Sequence, residues 1–220
     1  MCPKISESFR RKQWIPFFDK EELRQKYDGL ANSYGFMMVP EVLGIKKLRR
    51  DLIKKAHDQV LEVAVGTGYN LPYYSRECSI TAIDFSAEML AKAQHQAEKF
   101  GIQADFILME AEELGFDSDR FDTVVSTLAM CAYTDPLKAL REMARVCKPG
   151  GDVLLLEHGE SNVKWLASLQ ERTDLKWHRS FGCHWNRDIL DIAQEAGLEI
   201  KSYERHLFGI LYVIETEPIK

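Results

Sequence analysis

Val60-Leu-Glu-Val-Ala-Val-Gly-Thr-Gly-Tyr-Asn70, followed by Ile80-Thr-Ala-Ile-Asp84, is the stretch of sequence that decides the fold. Its residue types predict a buried strand, a glycine turn, the start of a helix, and a second strand that ends in a carboxylate. Gly66 and Gly68 carry no side chain where a ligand must touch the backbone. Asp84 follows the turn at roughly the distance at which an acid can accept hydrogen bonds from two ribose hydroxyls. The stretch therefore predicts a site for a cofactor that contains adenosine.

Two classes of cofactor compete for this site. A dinucleotide site has a third glycine, which lets the helix pack closely and carry the pyrophosphate, but Leu71 stands at that position. Glu62 is an acid inside an apolar strand, four residues before the first glycine. Its charge is unfavourable beneath a phosphate and favourable beside an ammonium or sulfonium group. The residues favour a sulfonium nucleoside, and an NAD-dependent oxidoreductase is the alternative.

Length and charge limit the other possibilities. The chain has 220 residues and a formal net charge of −5, which predicts one domain and no nucleic-acid partner. A local cluster of basic residues is predicted to be the solvated face of a helix, with contact to a membrane surface or an acidic partner as the alternative. The cluster consists of Lys46, Lys47, Arg49, Arg50, Lys54 and Lys55.

The cysteines and the apolar runs bear on the cellular compartment. The chain has five cysteines, an odd number without a Cys-x-x-Cys pair, which predicts a reducing compartment and no disulfide framework. No apolar run approaches the length of a membrane span, and the first twelve residues lack the apolar core of a secretion signal. We therefore expect a cytoplasmic protein, with a mitochondrial location as the alternative.

Strand and helix patterns alternate along the chain, which predicts an α/β fold with a parallel sheet. Residues 1–57 are predicted to be an N-terminal helical cap, and residues 58–220 the core of the same domain. Helices are expected over Lys20–Ala56 with a break near Pro40, after a Ser86 cap up to Gly101, after an Asp135 cap, near Val163–Lys176, and after an Asn186 cap. Strands are expected at Val60–Val65, Ser79–Ile83, Ala104–Leu108, Phe121–Ser126, Asp152–Glu157, Leu198–Arg205 and Gly209–Thr216, the last two as an antiparallel edge.

The segment from Glu62 to Gly68 resembles motif I of the class I S-adenosylmethionine (SAM)-dependent methyltransferases. That motif usually reads Glu/Asp-x-Gly-x-Gly-x-Gly, and here Ala64 replaces its first glycine. The resemblance implies a Rossmann-like, mostly parallel sheet of seven strands in the order 3-2-1-4-5-7-6, with helices on both faces and the last strand antiparallel. It also implies SAM as the cofactor and S-adenosylhomocysteine as its product.

The same resemblance implies a set of residues that contact the cofactor. Glu62 and the backbone of Gly66 and Gly68 would hold the methionine part, and Asp84 the ribose, although Asp84 could instead cap a helix. Lys26-Tyr-Asp-Gly-Leu-Ala-Asn-Ser-Tyr34 resembles the segment that precedes the sheet in small-molecule methyltransferases. The other candidates are Tyr27 and Tyr34 as a cover, Phe85 and Met89 on the adenine face, Glu110 and Ala111 at the adenine edge, and Thr127 beside the reactive methyl. Packing on the sheet is the alternative for the tyrosines, the core for Met89, and a solvated turn for Glu110.

Three residues, two of them after strands four and five and one between two predicted helices, are candidates for a base or an orienting group. They are Tyr133, His158 and His184, and a structural role is the alternative for His158. Cys131 and Cys183 are expected to be buried rather than nucleophilic. The spacing of His178, Cys183 and His184 fits no zinc pattern, so no metal site is predicted.

The segments Ser126–Cys131, Glu157-His158 and Gly182-Cys183 narrow the resemblance to one branch of small-molecule methyltransferases. This branch contains thiol methyltransferases, ubiquinone and menaquinone C-methyltransferases, and phospholipid N-methyltransferases. The resemblance implies a small, apolar or amphipathic methyl acceptor: a thiol, a quinone-type ring or a lipid amine. A SAM-binding regulatory or assembly protein without catalysis is an alternative. Peripheral membrane contact by the aromatic start (Trp14, Ile15, Phe17, Phe18) is another, with packing on the sheet as the simpler interpretation.

Overall fold

The structure is a computed structural model that describes residues 18–31 and 44–220. These residues form one seven-stranded sheet in the order β3-β2-β1-β4-β5-β7-β6. The strands are β1 (Gln59–Val63), β2 (Ser79–Asp84), β3 (Ala104–Leu108), β4 (Phe121–Thr127), β5 (Cys147–His158), β6 (Leu198–His206) and β7 (Leu211–Pro218). The helices are α1 (Lys20–Leu30), α2 (Ile45–Ile53), α3 (Ala87–Phe100), α4 (Pro136–Val146), α5 (Lys164–Phe181) and α6 (Ile189–Glu195).

The sheet is parallel from β3 to β5, and β7 pairs antiparallel with both β5 and β6. The predicted strand order and the antiparallel edge are therefore confirmed. The central strands read as continuous apolar runs because apolar cores cover the sheet on both sides. Val60 and Val125 belong to one core, and Leu61 and Val124 belong to the other.

The helix caps were predictable from single residues. Ser86 caps α3, Gly101 ends it in the left-handed conformation with φ +63°, and Asp135 caps α4 with Pro136 at the first position. The prediction for α6 was wrong, because Asp188 rather than Asn186 is the cap. The Asp188 carboxylate accepts hydrogen bonds from the backbone N–H groups of Leu190 and Asp191. Asn186 lies two residues earlier and does not accept them.

The strand order fixes where a ligand can sit. Successive strands run outward from β1 in one direction to β2 and β3, and in the other to β4 and β5. The chain reverses its direction across the sheet between β1 and β4, and this leaves a crevice at the carboxyl ends of these strands. Tyr34 and the predicted break near Pro40 lie outside the described residues. Within the described residues, none of the helices combines the length and the apolar character that crossing a bilayer requires.

Candidate active site

A cleft of about 950 Å³, open solvent at its mouth included, lies over the carboxyl ends of β1, β2 and β4. We call the part lined from residues 64–70, 84–89 and 109–112 the β1–β2 end, and the part lined from residues 127–134, beside the last residues of β4 and β5, the β4–β5 end. Nine of the candidates from the sequence line this cleft: Tyr27, Gly66, Asp84, Phe85, Met89, Glu110, Ala111, Thr127 and Tyr133.

The glycine turn presents backbone to the cleft at one position and packs against a helix at the other. A Cβ added at Gly66 would meet no atom of the described chain within 4 Å, so the space beside it is open to a ligand. A Cβ at Gly68 would lie 2.8 Å from the Leu71 side chain and 3.2 Å from the backbone of Ala93. Gly66 thus faces the cleft, whereas Gly68 allows the turn to approach α3 closely. Ala64, which stands at the position of the first glycine of the motif, adopts the left-handed conformation with φ +56°.

Asp84 ends β2 and lies at the cleft with 4% of its surface exposed. Its two carboxylate oxygens accept hydrogen bonds from the backbone N–H of Gly66 at 2.8 Å and of Ser86 at 2.9 Å. Burial raises the pKa of Asp84 to about 6, although these backbone hydrogen bonds partly offset the effect. The carboxylate therefore orders the turn and the start of α3, and its remaining lone pairs are available to donors from a ligand.

Glu62 lies beneath the turn, in contact with a chain of polar side chains that leads to the cleft. Its Oε1 accepts from Asn70 Nδ2 at 2.9 Å, and Asn70 in turn accepts from Arg49 at 2.6 Å. Thr127 Oγ1 accepts from both Arg49 and Asn70, at 2.9 and 3.0 Å. Glu62 Oε2 and the hydroxyl of the neighbouring Tyr74 are buried without a hydrogen-bond partner among the described residues. Burial raises the pKa of Glu62 to about 7.

The prediction that Arg49 lies on a solvated helix face was wrong. Its side chain is 2% exposed and lines the cleft, whereas the basic cluster around it was predicted to be the solvated face of a helix. The neighbouring Lys46, Lys47, Arg50, Lys54 and Lys55 do face solvent or lie near the surface. Arg49 differs because α2 directs it toward the carboxyl ends of β1 and β4, where Asn70 and Thr127 accept its hydrogen bonds. The run of basic residues in the sequence does not indicate that the side chain of Arg49 points inward.

Aromatic and acidic side chains form the other wall of the β1–β2 end. The Tyr27 ring on α1 meets the edge of the Phe85 ring with centroids 5.7 Å apart, and Met89 is buried beside them. Glu110 forms an ion pair with Lys20, which also pairs with the buried Glu112 at 2.9 Å. The Glu110 carboxylate therefore faces a lysine from α1, and Ala111 lies between the two acids.

The β4–β5 end is built around Glu157, which is fully buried. Its Oε2 accepts hydrogen bonds from the backbone N–H of Ala129 and Met130 at 2.9 and 3.1 Å, and its Oε1 from Ser126 at 2.9 Å. The Ser126 hydroxyl lies 3.3 Å from the hydroxyl of Tyr133. Burial raises the pKa of Glu157 to about 7 and that of Tyr133 well above its usual range. Tyr133 is thus a hydrogen-bonding group at neutral pH.

The two histidine candidates do not line the cleft in the described part of the chain. His184 is 4% exposed, its Nδ1 lies 2.6 Å from the Asp174 carboxylate, and its ring stacks on His178 at 3.9 Å. His158 ends β5 and lies close to Cys183. Burial lowers the pKa of His158, but the hydrogen bond and charge of Cys183 outweigh this effect and raise it overall. These surroundings favour a positioning role for His184, and a catalytic role for either histidine stays a prediction.

The cysteine prediction holds for one of its two residues. Cys131 is buried, whereas Cys183 is half-buried. Hydrogen bonds from Cys131 and His158 hold the pKa of the Cys183 thiol well below its usual range. No pattern in the sequence indicates this arrangement, because its three residues come from three separate segments. Glu157 was not predicted either, although a signal for it existed: like Glu62, it is an acid inside an apolar strand.

Comparison with known protein families points to one enzyme class. Residues 61–155 match the family model described as a methyltransferase domain. The phosphatidylethanolamine N-methyltransferase of Cereibacter sphaeroides is 39% identical over 130 residues, which are 56% of this chain and 64% of that protein. The ubiquinone/menaquinone biosynthesis C-methyltransferase UbiE of Bdellovibrio bacteriovorus is 34% identical over 157 residues, 68% of this chain and 67% of that protein. The chain thus spans less than two thirds of the first of these relatives.

A solved structure gives the same fold. The SAM-dependent methyltransferase of Thermotoga maritima, described as a possible histamine N-methyltransferase, superimposes with a TM-score of 0.67. The match covers 90% of this chain and 100% of that one at 18% sequence identity. At this identity the likeness concerns the fold alone.

Proposed function

The chain belongs to the class I SAM-dependent methyltransferase superfamily, and on that premise we propose that it transfers a methyl group from SAM to a small, apolar or amphipathic acceptor. The observation that carries the proposal is that one continuous cleft joins Asp84 and the open face of Gly66 to the apolar and hydroxyl groups of the β4–β5 end. SAM with its nucleoside bound at the β1–β2 end would place its reactive methyl group toward the β4–β5 end.

The polar groups of the β1–β2 end fit the parts of SAM. Asp84 has lone pairs for the ribose hydroxyls, and the Gly66 backbone borders open space. The methionine part carries an ammonium and a carboxylate, which match the buried acid Glu62 with its unpartnered Oε2 and the guanidinium of Arg49. Phe85 and Met89 offer apolar surface to the adenine. We propose these residues as the cofactor contacts.

Bound SAM would supply a methyl group on a positively charged sulfur, which needs no metal to be transferred. The contribution of the chain is then alignment and exclusion of water, which together can supply most of the rate enhancement. Ser126 donates its proton to Glu157 and therefore accepts the proton of Tyr133. This holds the Tyr133 hydroxyl in place and leaves its oxygen to accept a hydrogen bond from an O–H, N–H or S–H group of the methyl acceptor. The raised pKa of Tyr133 makes it an orienting group rather than a base.

The acceptor that we propose is a thiol, a quinone-type ring carbon or a lipid amine. Support for an amphipathic molecule comes from the cleft, where Leu23, Met109, Leu128 and Ala132 add apolar surface. It also comes from the two relatives, whose names specify a phospholipid amine and a quinone precursor pathway. Exposed Trp165 and Leu175 on α5 support peripheral contact with a lipid surface as part of the same proposal. The cytoplasm, or the mitochondrion, stays the predicted location.

The rival function is SAM binding without catalysis. A specific observation favours it: of the three candidate acid–base residues, Tyr133 reaches the cleft, whereas His158 and His184 do not line it in the described structure. An acceptor that ionises readily, such as a thiol, needs no such base, so the methyltransferase remains our conclusion.

Calorimetry and a transfer assay test the proposal together. We expect the protein to bind SAM and S-adenosylhomocysteine but not NAD⁺, and to move a radiolabelled methyl group from SAM to at least one of a panel of thiols, quinols and lipid amines. The panel should be presented both in detergent and in vesicles that contain phosphatidylethanolamine. SAM binding without transfer to any acceptor would favour the regulatory protein, and NAD⁺ binding in place of SAM would overturn the cofactor assignment.

A further inference from the structure

Three soft donor side chains meet next to the β4–β5 end, although they come from distant parts of the sequence. Cys131 lies in the segment after β4, His158 ends β5, and Cys183 follows α5. One ligand atom from each, the two sulfurs and an imidazole nitrogen, lie within 4.8 Å of one another. Among the described residues, this is the group of histidine, cysteine and acidic side chains whose geometry could hold a metal ion.

The donor set and its size suit zinc. Two thiolates and one imidazole are a common set of protein ligands for Zn²⁺, and a fourth position then stays open for water or another ligand. With zinc–sulfur bonds of about 2.3 Å, tetrahedral geometry puts ligand atoms about 3.5–4 Å apart. Separations within 4.8 Å therefore need only small side-chain rotations to reach that geometry.

Hydrogen bonds between the three segments hold the donors in place before any ion arrives. The carbonyl of Cys131 accepts from the backbone N–H of His184 at 2.9 Å, which ties the segment after β4 to the one after α5. The Arg187 guanidinium donates to the carbonyl of Tyr133 at 2.8 Å, and the Arg187 carbonyl accepts from Glu160 N–H at 2.8 Å. Preorganised donors reduce the entropic cost of forming a metal site.

Gln170 on α5 adds a further tie between the same segments. Its side-chain amide donates to the carbonyls of Gly159 at 2.9 Å and Trp185 at 2.5 Å, and it is fully buried. The segments that contain Gly159 and Trp185, close to His158 and Cys183, are therefore fixed relative to each other. Outer contacts of this kind are what orient the ligands in known metal sites.

The charges around the group also suit a divalent cation. Glu157 and Arg187, which are both buried nearby, act on Cys131 with opposite charges. Two cysteines that lose their protons on binding then balance a charge of +2, because metal binding releases the thiol protons. The ion and its two thiolates would then carry no net charge, which lowers the desolvation penalty of burying them.

We propose that Cys131, His158 and Cys183 form a binding site for Zn²⁺ or a similar thiophilic divalent ion with three protein ligands. Ala129 and Ala132, two positions before and one position after Cys131, line the cleft. An ion here stands beside the wall of the β4–β5 end and joins the three segments that form it. The proposal does not depend on the proposed function, because it concerns binding of a metal ion and requires neither SAM nor turnover.

Cobalt spectroscopy on the reduced, metal-free full-length protein at pH 8 tests the site. We expect one equivalent of Co²⁺ to give thiolate-to-cobalt charge-transfer and tetrahedral d–d absorption bands, and Zn²⁺ to displace it. Cys183→Ser and His158→Gln should weaken Zn²⁺ binding by at least about a hundredfold. Cys78→Ser is the matched control, since Cys78 is a half-buried thiol outside the group, and it should bind as the native protein does.

Thermal unfolding supplies a second readout, because its midpoint shows both whether a variant is folded and whether Zn²⁺ stabilises it. Zn²⁺ should raise the midpoint of the native protein and of Cys78→Ser, but not that of Cys183→Ser, because only a ligand of the folded state stabilises it. Absence of tetrahedral cobalt bands in the native protein would overturn the proposal. Equal binding by Cys183→Ser would also overturn it, as would a Cys131–Cys183 disulfide that forms in air while the reduced protein binds no metal.

Discussion

The carboxylate at the β1–β2 end of the cleft accepts hydrogen bonds from residues close in sequence, whereas the carboxylate at the β4–β5 end accepts them from a more distant segment. At the first, Asp84 accepts from Gly66 and Ser86, which are 18 and 2 residues away. At the second, Glu157 accepts from Ala129 and Ser126, 28 and 31 residues away. A short motif can specify the first end, but the second depends on correct packing of β4 against β5.

Substitutions at the two ends should therefore have different effects on binding and on stability. A substitution at the β1–β2 end should change what the cleft binds more than it changes the fold. A substitution at the β4–β5 end should leave buried backbone donors without acceptors and so weaken the fold itself. The variants below test this contrast in order of decreasing effect.

Glu157→Ala should give the largest effect, a loss of about 3 kcal/mol in the free energy of unfolding. The substitution leaves the buried N–H groups of Ala129 and Met130 and the Ser126 hydroxyl without their acceptor. Chemical denaturation at equilibrium measures the loss. Glu113→Ala, on an exposed acid, is the control and should change stability little. If both variants were equally stable, the β4–β5 end would not depend on its buried carboxylate.

Asp84→Asn should reduce the affinity for SAM by a factor of about 30, equivalent to about 2 kcal/mol. The amide keeps one acceptor oxygen for the turn but replaces the other with a donor, which cannot accept from a ribose hydroxyl or from Gly66. Calorimetry with SAM measures the change, and Asp105→Asn on the exposed edge strand is the control. Unchanged affinity in Asp84→Asn would show that this carboxylate serves the helix cap and not the ligand.

The same contrast explains how much could be predicted from the sequence. Glycines, caps and apolar runs act over a few residues, so Ser86, Gly101 and Asp135 were predictable, whereas the strand order was predicted only through the resemblance to the methyltransferases. The position of Asp84 in the cleft followed from its spacing after the turn. Caps and turns depend on local backbone geometry, and particular residue types favour that geometry.

Features that depend on tertiary approach were not predictable in the same way. Arg49 belongs to a run of basic residues, and its burial follows from the angle at which α2 meets the sheet. Cys131, His158 and Cys183 meet because three loops converge, and no spacing in the sequence encodes that convergence. Glu157 could have been noticed as a charge in an apolar strand, but its partners could not.

Glu62→Gln tests the electrostatics of the β1–β2 end through the pH dependence of stability. The pKa of Glu62 is raised in the folded state from 4.5 to about 7, so the folded protein binds more protons than the unfolded chain in this window. The free energy of unfolding therefore falls as pH rises from about 4.5 to about 7, and glutamine removes that contribution. The stability of Glu62→Gln relative to the native protein should rise by about 1 kcal/mol between about pH 6 and about pH 8.

Denaturation curves at the two pH values provide the measurement. Glu88→Gln, on an exposed acid in the first turn of α3, should show no such difference between them. A constant offset for Glu62→Gln at both pH values would mean that Glu62 keeps an ordinary pKa and that its burial is compensated, for instance by Arg49.

Ala64→Gly should give the smallest effect, a gain of about 0.5 kcal/mol in the free energy of unfolding. Ala64 has φ +56°, which costs an alanine about 1 kcal/mol, and glycine removes this cost while it adds conformational entropy to the unfolded chain. Ala91→Gly, on the exposed face of α3, is the matched control and should instead lose about 1 kcal/mol. A loss of similar size in Ala64→Gly would mean that the hydrogen bonds from Val65 to Ile83 and from Gly66 to Asp84 hold the turn without strain. The β1–β2 end would then owe its shape to these contacts rather than to the glycine pattern of the motif.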